Sequence, residues 1–559
     1  MFYANEVEHL DTCLDRLDRL RATYPIPSSP DVTARVCASA IWALMGGGRH
    51  DSQVLDWLTR CQALGASESR ARVMAAAAMV NYDVNCSGNL AHARVVLDEL
   101  APQSAEIDPA TAVIWGAAVA IFQLVSGDCT ACVDTAERAL ALSASTGARL
   151  SDFLLTTELA WGAALAGRVD LADRALASLT AQYDPSRPTQ GTWLHWARSM
   201  TAVARNDRRL AYEESRAARV CSERTLSKVF LATGTAIEAM SASLAGAPPG
   251  QGPSLETALE LARQCGSRLA EHFSLLGLAA REQRQGGPGL ETRLREVFAL
   301  SREAGYRTAW YLVPDELANL CAAALERGIE PECVRAYVTA NRLASPAWAR
   351  DLEAWPWALS VRVLGNLEIK VGELRPAASA EGGRALDLLA LLVAHGGEVT
   401  VSAVLDALWP HAEGDRAHHA LETTLYRLRK LLGPRVAITQ REGVVTLDTT
   451  ACWTDLKAVR KRMVQVAALC ERDTADGAAL VRETERLVEL YRGPFLPHVE
   501  TPWAEASRQG LRSALARHLR AAERALERVG LGAHAQRILR QALGADPDLP
   551  IAARPSVAR

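Results

Sequence analysis

The stretch that decides the fold is residues 415–433, DRAHHALETTLYRLRKLLG. Apolar residues recur along it at helical spacing, which predicts one amphipathic helix of about five turns. Asp415 is expected to cap its start, and Gly433-Pro434 is expected to end it, because Gly suits the position after a helix and Pro cannot continue one. The predicted buried stripe consists of Leu421, Leu425, Leu428 and Leu432. The opposite face carries His418, His419, Thr423, Tyr426, Arg427 and Lys430.

The flanking sequence predicts strands and two shorter helices. Residues 359–373 alternate in polarity around Gly365-Asn366, which is typical of a β-hairpin. Helices are predicted over residues 384–394 and 401–408, and Trp409-Pro410 closes the second. After the long helix, two apolar runs flank a polar tip at residues 440–443 and predict a second hairpin. The order of strands, three helices and a hairpin is that of a winged helix, a variant of the helix-turn-helix.

Two segments carry a resemblance to a known family. GRALDLLALLVAHGGEVTVSAVLDALWP (383–410) and ALETTLYRLRKLLG (420–433) resemble the DNA-binding domain of OmpR-type response regulators. They are most similar to the branch that carries a bacterial transcriptional activator domain downstream. The resemblance implies a winged helix over residues 356–450 whose third helix enters the major groove of double-stranded DNA. The wing differs from the common OmpR pattern, because Gly443-Val444-Val445 stands where a Gly-Tyr pair is usual.

The candidate DNA contacts lie mainly on the third helix. The resemblance places His419, Ala420, Thr423 and Arg427 towards the bases. Arg427 can bond guanine O6 and N7, and Thr423 can bond a base edge or pack on a thymine methyl group. Other residues are expected near phosphates or at the wing: Tyr426, Arg429, Lys430 and Arg441. His418 and His419 can equally be phosphate ligands or solvated side chains, and a metal role is not expected because adjacent helical residues diverge.

A helical array is predicted for residues 1–350. A ladder of turn residues recurs at steps of about 40: Gly48, Gly88, Gly127, Gly167, Asn206, Gly246, Gly286 and Gly328. A small residue follows four of these rungs by five positions, which predicts a second helix that packs closely on the first: Ala93, Cys132, Ala172 and Ala211. GRVDLADRAL (167–176) resembles the start of the second helix of tetratricopeptide repeats. We interpret the region as an α-solenoid of helical hairpins, with Trp115, Trp161 and Trp196 in its core.

The region after the winged helix is predicted to be helical from Cys452 onward. YRGPFLP (491–497) and the sequence at 501–526 resemble the bacterial transcriptional activator domain, which is built of tetratricopeptide-like hairpins. This domain is expected over residues 451–548 in a truncated form, followed by a disordered tail at 549–559. The layout resembles MalT-like regulators. It lacks their nucleotide-switch ATPase, because no phosphate-loop motif is present in the sequence.

The composition and motifs of the chain limit which other functions and compartments are expected. The chain of 559 residues has a formal net charge of −3, so any nucleic-acid contact must come from a local patch. Its 12 cysteines are scattered, as is typical of free thiols in the cytoplasm. No signal peptide or membrane span is expected. Cys129 and Cys132 form a lone CxxC pair, for which neither a metal nor a redox role is expected. No cofactor is expected, and no catalytic motif is present, so the chain is not expected to be an enzyme.

These observations predict a mainly α chain with a small α+β winged helix. The expected function is a DNA-binding transcriptional regulator, an activator by resemblance. Its solenoid would sense an effector or a protein partner, and its last domain would contact RNA polymerase or a second protomer. Residues 359–450 contain ten Lys and Arg against eleven Asp and Glu, so tight binding would need a homodimer or tandem sites. This near-neutral charge supports the alternative, an interaction scaffold whose winged helix does not bind DNA.

Overall fold

The computed structural model describes residues 36–41, 69–101, 107–225, 227–248, 250–372, 374, 383–412, 414–434, 436–471 and 476–551. The chain divides into two compact units, residues 1–346 and 347–559. The predicted mainly α class is confirmed, since helices dominate both units and only six short strands are present among the described residues. Gly48, the first rung of the ladder, and residues 552–559 of the predicted tail lie outside the described residues.

The first unit is helical throughout its described part. Residues 36–41 are helical, and fourteen helices follow: α1 (Ser69–Tyr82), α2 (Leu90–Leu100), α3 (Pro109–Val125), α4 (Cys129–Thr146), α5 (Asp152–Leu165), α6 (Val169–Gln182), α7 (Pro188–Ala204), α8 (Arg208–Arg224), α9 (Lys228–Ala245), α10 (Leu255–Cys265), α11 (Arg268–Gln285), α12 (Leu290–Ala304), α13 (Pro314–Glu326) and α14 (Pro331–Ala340). A π-helical turn, Asp83–Ser87, extends α1.

The ladder of turn residues has the backbone conformation that its sequence predicts. Every described rung has a positive φ, the left-handed region that Gly and Asn tolerate best: Gly88, Gly127, Gly167, Asn206, Gly246, Gly286 and Gly328. The four small residues that follow are buried, with at most 2% of their surface exposed: Ala93, Cys132, Ala172 and Ala211. The helices α4 and α5 approach each other closely at Cys132. A Cβ atom added to Gly162 of α5 would lie only 3.2 Å from the Sγ atom of Cys132.

First and second helices of each pair differ in burial. In α5, eleven of fourteen residues are buried, whereas α6 buries only four of fourteen. A helix that is buried on nearly all sides belongs to an inner layer, and a helix with one apolar stripe covers it from outside. Trp115, Trp161 and Trp196 belong to the inner helices and are buried, as predicted.

Early and late helices of the described part of the array are joined. The segment between α12 and α13, residues 305–313, crosses to helices that are far earlier in the sequence. Tyr306 Oη donates a hydrogen bond to the carbonyl of Val84 at 2.8 Å, and Thr308 Oγ1 donates to the carbonyl of Leu124 at 2.6 Å. Both carbonyls lie at the ends of helical segments, where carbonyl groups are available to partners from outside the helix. The segment therefore links early and late helices of the described array, and most of its side chains are buried.

Aromatic rings fill the space around this segment. The ring centroids of Trp310 and Trp161 are 5.6 Å apart, and Trp310 lies at the same distance from Phe273. Trp196 is 6.5 Å from Trp161. The hydroxyl of Tyr311 reaches the carbonyl of Trp196. Such contacts fix the segment through ring packing as well as hydrogen bonds.

The second unit contains two small three-stranded sheets. Strands β1 (Leu359–Arg362) and β2 (Glu368–Val371) form the first predicted hairpin, with Arg362 opposite Glu368. Strand β6 (Cys452–Thr454) pairs parallel to β1, so the prediction that these residues begin a helix is wrong. The second sheet has the order β3-β5-β4 and consists of β3 (Glu398–Thr400), β5 (Val444–Leu447) and β4 (Ile438–Arg441). The sequence did not predict β3.

Three helices of the second unit lie close to their predicted positions, between the strands of the two sheets: α15 (Gly383–Ala394), α16 (Val401–Leu408) and α17 (Gly414–Leu432). Four follow: α18 (Asp455–Cys470), α19 (Gly477–Leu490), α20 (Pro502–Arg528) and α21 (Gly532–Ala545). Thr400 caps α16 by accepting the N–H of Ala403, and the long helix ends at Gly433, whose φ is 69°.

One hydrophobic core joins most of the buried apolar residues in the described part of the second unit. Its members lie between Leu359 and Leu549 and include side chains on both sides of residue 450. The bridge between Leu364 and Phe495 joins the first hairpin directly to the loop before α20. The strand β6 also completes the sheet of the first hairpin. Residues 359–450 are therefore packed as part of a larger body and share their core with the helices that follow.

The prediction that a disordered tail begins at residue 549 is wrong. Leu549 is buried, and Arg512 donates to Asp546 at 2.7 Å and 2.8 Å. Tyr491 Oη donates to the same carboxylate at 2.6 Å. The Arg512 guanidinium and this hydroxyl hold the pKa of Asp546 below its ordinary value, although burial opposes them. Residues 549–551 thus lie against the unit.

Candidate nucleic-acid interface

Helix α17 buries one face and leaves the other in solvent. Its buried residues are the predicted leucines together with Ala417 and Thr424. Thr424 Oγ1 donates to the carbonyl of Ala420, so the neighbouring Thr423 is the threonine that remains accessible. The helix begins at Gly414. Asp415 therefore lies in its first turn, and its predicted role as the cap is wrong; a carboxylate there still opposes the positive end of the helix dipole.

The predicted contact residues share the open face of α17. Tyr426 is 66% exposed, an unusual value for a large aromatic side chain. His419, Arg427 and Lys430 are exposed, whereas Ala420 and Thr423 are half-buried. His418 is also exposed, but one residue of helix is a rotation of about 100°, so it lies on the flank of this face. The structure thus brings most of the predicted helical residues to one surface.

Arg416 was not among the contact residues predicted from the sequence. Its side chain is exposed, and it stands four residues before Ala420, seven before Thr423 and eleven before Arg427. Residues at this spacing share one helix face. The signal was present in the sequence as a cation at the start of the polar stripe. Arg416 adds a positive charge to the first turn of the open face.

Arg429 makes a hydrogen bond to the second hairpin. Its Nε donates to the carbonyl of Ile438 at 2.9 Å. This bond ties α17 to β4, the first strand of the second hairpin. Arg429 therefore positions the hairpin against the helix, while its side chain remains exposed.

The second hairpin turns at Glu442-Gly443, which is tighter than the predicted tip at 440–443. Both residues have positive φ, 50° and 77°, as a two-residue type I′ turn requires. Gln440 and Arg441 belong to β4, and Arg441 pairs with Val444 next to the turn. The carbonyl of Gly443 accepts a hydrogen bond from the N–H of Val401 at 2.7 Å. The turn is therefore anchored at the start of α16, with the Arg441 side chain exposed beside it.

The local charge of this surface differs from that of its surroundings. The described residues from 414 to 447 include five cations, Arg416, Arg427, Arg429, Lys430 and Arg441, against three carboxylates, Asp415, Glu422 and Glu442. Three of the cations lie on the open face of α17. A local excess of this kind is the form that a phosphate-contacting patch takes on a protein with little net charge.

Comparison with known proteins adds no further constraint to this geometry. No protein-family model and no curated protein matches the chain. Within the described residues, the helices are too short or too polar to cross a membrane. No cluster of three or more His, Cys, Asp or Glu residues suited to a metal ion occurs in the same part of the chain.

Proposed function

We propose that this chain is a DNA-binding transcriptional regulator whose second unit contains a winged helix. The observation that carries the proposal is the open face of α17. Arg416, Thr423, Arg427 and Lys430 lie along it, and the Arg429–Ile438 hydrogen bond holds the second hairpin beside it. A helix backed by a core, cationic on its free face and flanked by a hairpin, is suited to the major groove.

Each part of the surface has a role in this proposal. Arg427 bonds a guanine edge and Thr423 a neighbouring base. Lys430, Arg416 and His419 bond phosphates along one strand, and Arg441 contacts the backbone from the hairpin. Tyr426, with its exposed ring, packs on a sugar or on a thymine methyl group. Arg429 acts mainly by positioning the hairpin.

The two helical regions have separate proposed roles. The first unit is a tetratricopeptide-like array that senses an effector or a protein partner. Since its interior is occupied by residues 305–313, a partner docks on the outer layer of helices. Helices α18–α21 act as the activator domain and contact RNA polymerase or a second protomer, in the cytoplasm. Because they share a core with the proposed winged helix, they move with it as one body.

The alternative is an interaction scaffold whose winged helix binds a protein. Its support is the charge of residues 359–450, ten Lys and Arg against eleven Asp and Glu. In this alternative the exposed Tyr426 is the centre of the contact, because aromatic side chains are enriched at the centre of protein interfaces.

A binding experiment with the full chain separates the two proposals. Fragments of genomic DNA are selected by the protein at low salt, and the selected duplex is then titrated by fluorescence anisotropy. Arg427→Ala is expected to weaken binding by about tenfold, the value of one bidentate base contact. Arg482→Ala removes an exposed cation of α19 and serves as the matched control.

The regulator and the scaffold predict different results in this experiment. Selective binding that is lost in Arg427→Ala and kept in Arg482→Ala supports the regulator. Failure of the folded protein to bind any duplex at low salt overturns it and favours the scaffold. Deletion of residues 384–448 is a poor test, because it removes part of the core that the whole second unit shares.

A further inference from the structure

A small pocket lies where the second sheet meets helix α18. Its volume is about 170 Å³, and it is bounded by the Gly396-Gly397 turn after α15, the end of β5, strand β6 and the first two turns of α18. Four polar side chains face it: Thr449, Thr454, Lys457 and Arg460. The pocket is smaller than the roughly 300–1,000 Å³ that is usual for drug-sized ligands. It therefore suits a small ion better than a nucleotide or a cofactor.

The polar groups of the pocket are mainly hydrogen-bond donors. Lys457 and Arg460 are three residues apart on α18, so they lie on one side of the helix. Neither has a carboxylate within 4 Å in the part of the chain that the structure describes. Arg460 donates a hydrogen bond to the carbonyl of Ala394 at 3.1 Å, and this is its contact with the end of α15.

The nearest carboxylates are engaged elsewhere. Asp448 accepts the N–H and the hydroxyl of Thr450 at 2.9 Å and 2.6 Å. Asp455, at the start of α18, accepts backbone N–H groups of the first hairpin. Partial burial lowers the pKa of the Arg460 guanidinium, although the side chain is exposed at the surface. The half-buried Lys457, the exposed Arg460 and two threonine hydroxyls therefore line the pocket without a carboxylate partner.

We propose that this pocket binds a small tetrahedral oxyanion, either inorganic phosphate or the phosphate group of a small effector. The Lys457 ammonium and the Arg460 guanidinium supply charge-assisted hydrogen bonds, and the hydroxyls of Thr449 and Thr454 supply two more. A tetrahedral anion fits a set of donors that approach from several sides. A carboxylate is planar and satisfies fewer of them at once.

The position of the pocket gives the anion a structural consequence. Its walls come from both sides of residue 450: the Gly396-Gly397 turn and β5 precede it, and Lys457 and Arg460 follow it. A bound anion neutralises the two cations and joins these segments. It is therefore expected to stabilise the second unit, by mass action, whether or not the protein binds DNA.

The experiment measures phosphate binding to the full chain by calorimetric titration and by thermal unfolding, at constant ionic strength. Phosphate is expected to bind and to raise the unfolding temperature, sulfate is expected to act in the same direction, and acetate is expected to have little effect. Lys457→Gln is expected to weaken phosphate binding about tenfold, the value of one charge-assisted hydrogen bond. Arg482→Gln, an exposed cation of α19 outside the pocket, is the matched control.

Two results would overturn the proposal. The first is the same response of the protein to phosphate and to acetate, which would show a general salt effect. The second is equal phosphate binding by Lys457→Gln and Arg482→Gln. Arg460→Lys keeps the charge but alters the bond to Ala394, so its phosphate affinity should fall less than that of Lys457→Gln. None of these measurements uses DNA, so their failure leaves the proposed function untouched.

Discussion

The carboxylate of Asp455 accepts the backbone N–H of Val363, with both oxygens at 3.0 Å from the nitrogen. One oxygen also accepts the N–H of Leu364 at 2.9 Å. These bonds join the loop of the first hairpin to the first turn of α18, across more than ninety residues of sequence. Asp455 is buried, so the two amides have no access to water if the carboxylate is removed.

Asp455→Ala is therefore expected to destabilise the second unit by about 3 kcal/mol, because two buried amides lose their acceptor. Urea denaturation of the full chain measures the loss, and hydrogen–deuterium exchange of the peptide covering 359–372 locates it. Asp448→Ala removes a carboxylate that bonds the exposed turn at Thr450 and should change stability by less than about 1 kcal/mol. Unchanged exchange at 359–372 in the first variant would contradict the prediction.

Two buried threonines of α7 provide a matched pair. The hydroxyl of Thr189 has no hydrogen-bond partner in the described part of the chain, whereas Thr192 donates to the carbonyl of Pro188 at 3.1 Å. Both side chains are fully buried. Thr189→Val should raise the unfolding free energy by about 1 kcal/mol, and Thr192→Val should lower it by about the same amount. Equal effects of the two substitutions in denaturation experiments would refute this expectation.

Arg427 and Arg429 are expected to act differently although they are two residues apart. Arg429→Ala removes the hydrogen bond to Ile438 and should lower the stability of the second unit by about 1 kcal/mol. Arg427 is exposed without such a bond, so Arg427→Ala should change stability by less than about 0.5 kcal/mol. Thermal unfolding of both variants measures the contrast. The prediction fails if Arg427→Ala is the less stable protein.

The buried His272 is expected to make the stability of the first unit depend on pH. Its Nε2 lies 2.7 Å from Tyr337 Oη, and burial lowers the pKa of the imidazole to about 3 from its ordinary 6.5. Between these values the unfolded chain binds a proton that the folded chain does not bind. Stability is therefore complete above pH 6.5 and falls as the pH decreases towards 3.

The expected slope in this window is about 1.4 kcal/mol for each pH unit. Urea denaturation at a series of pH values measures it in the full chain. His272→Gln should reduce the slope, and His395→Gln, which replaces an exposed imidazole after α15, should leave it unchanged. A wild-type slope equal to that of His272→Gln would show that this histidine is not responsible.

Local signals predicted much of the fold. The bounds of α16 were predicted to the residue, because Thr400 caps its start and Trp409-Pro410 ends it. The ladder of glycines was predicted because each rung needs a positive φ that few other residues adopt. The open face of α17 followed from its leucine spacing. In each case the information lies within a few residues of the feature.

Contacts between distant residues were not predicted. Strand β6 has only three residues, and its partner β1 is about ninety positions earlier, so no local pattern marks it. The hydrogen bond of Tyr306 to Val84 spans 222 residues. The pairing of Arg429 with Ile438 depends on how a hairpin folds back on a helix. Such features depend on how distant segments pack together. The spacing of apolar residues along the chain carries no information about that packing.

The join between Tyr306 and Val84 also limits how the first unit can change over evolutionary time. An open array can gain or lose a hairpin by duplication or deletion, because each hairpin touches only its neighbours. Here Tyr306 must reach Val84 and Thr308 must reach Leu124, so removal of a hairpin between these residues would separate the hydroxyls from their acceptors. We expect this geometry to fix the number of hairpins between residues 84 and 306, while the outer helices there remain free to diverge in sequence.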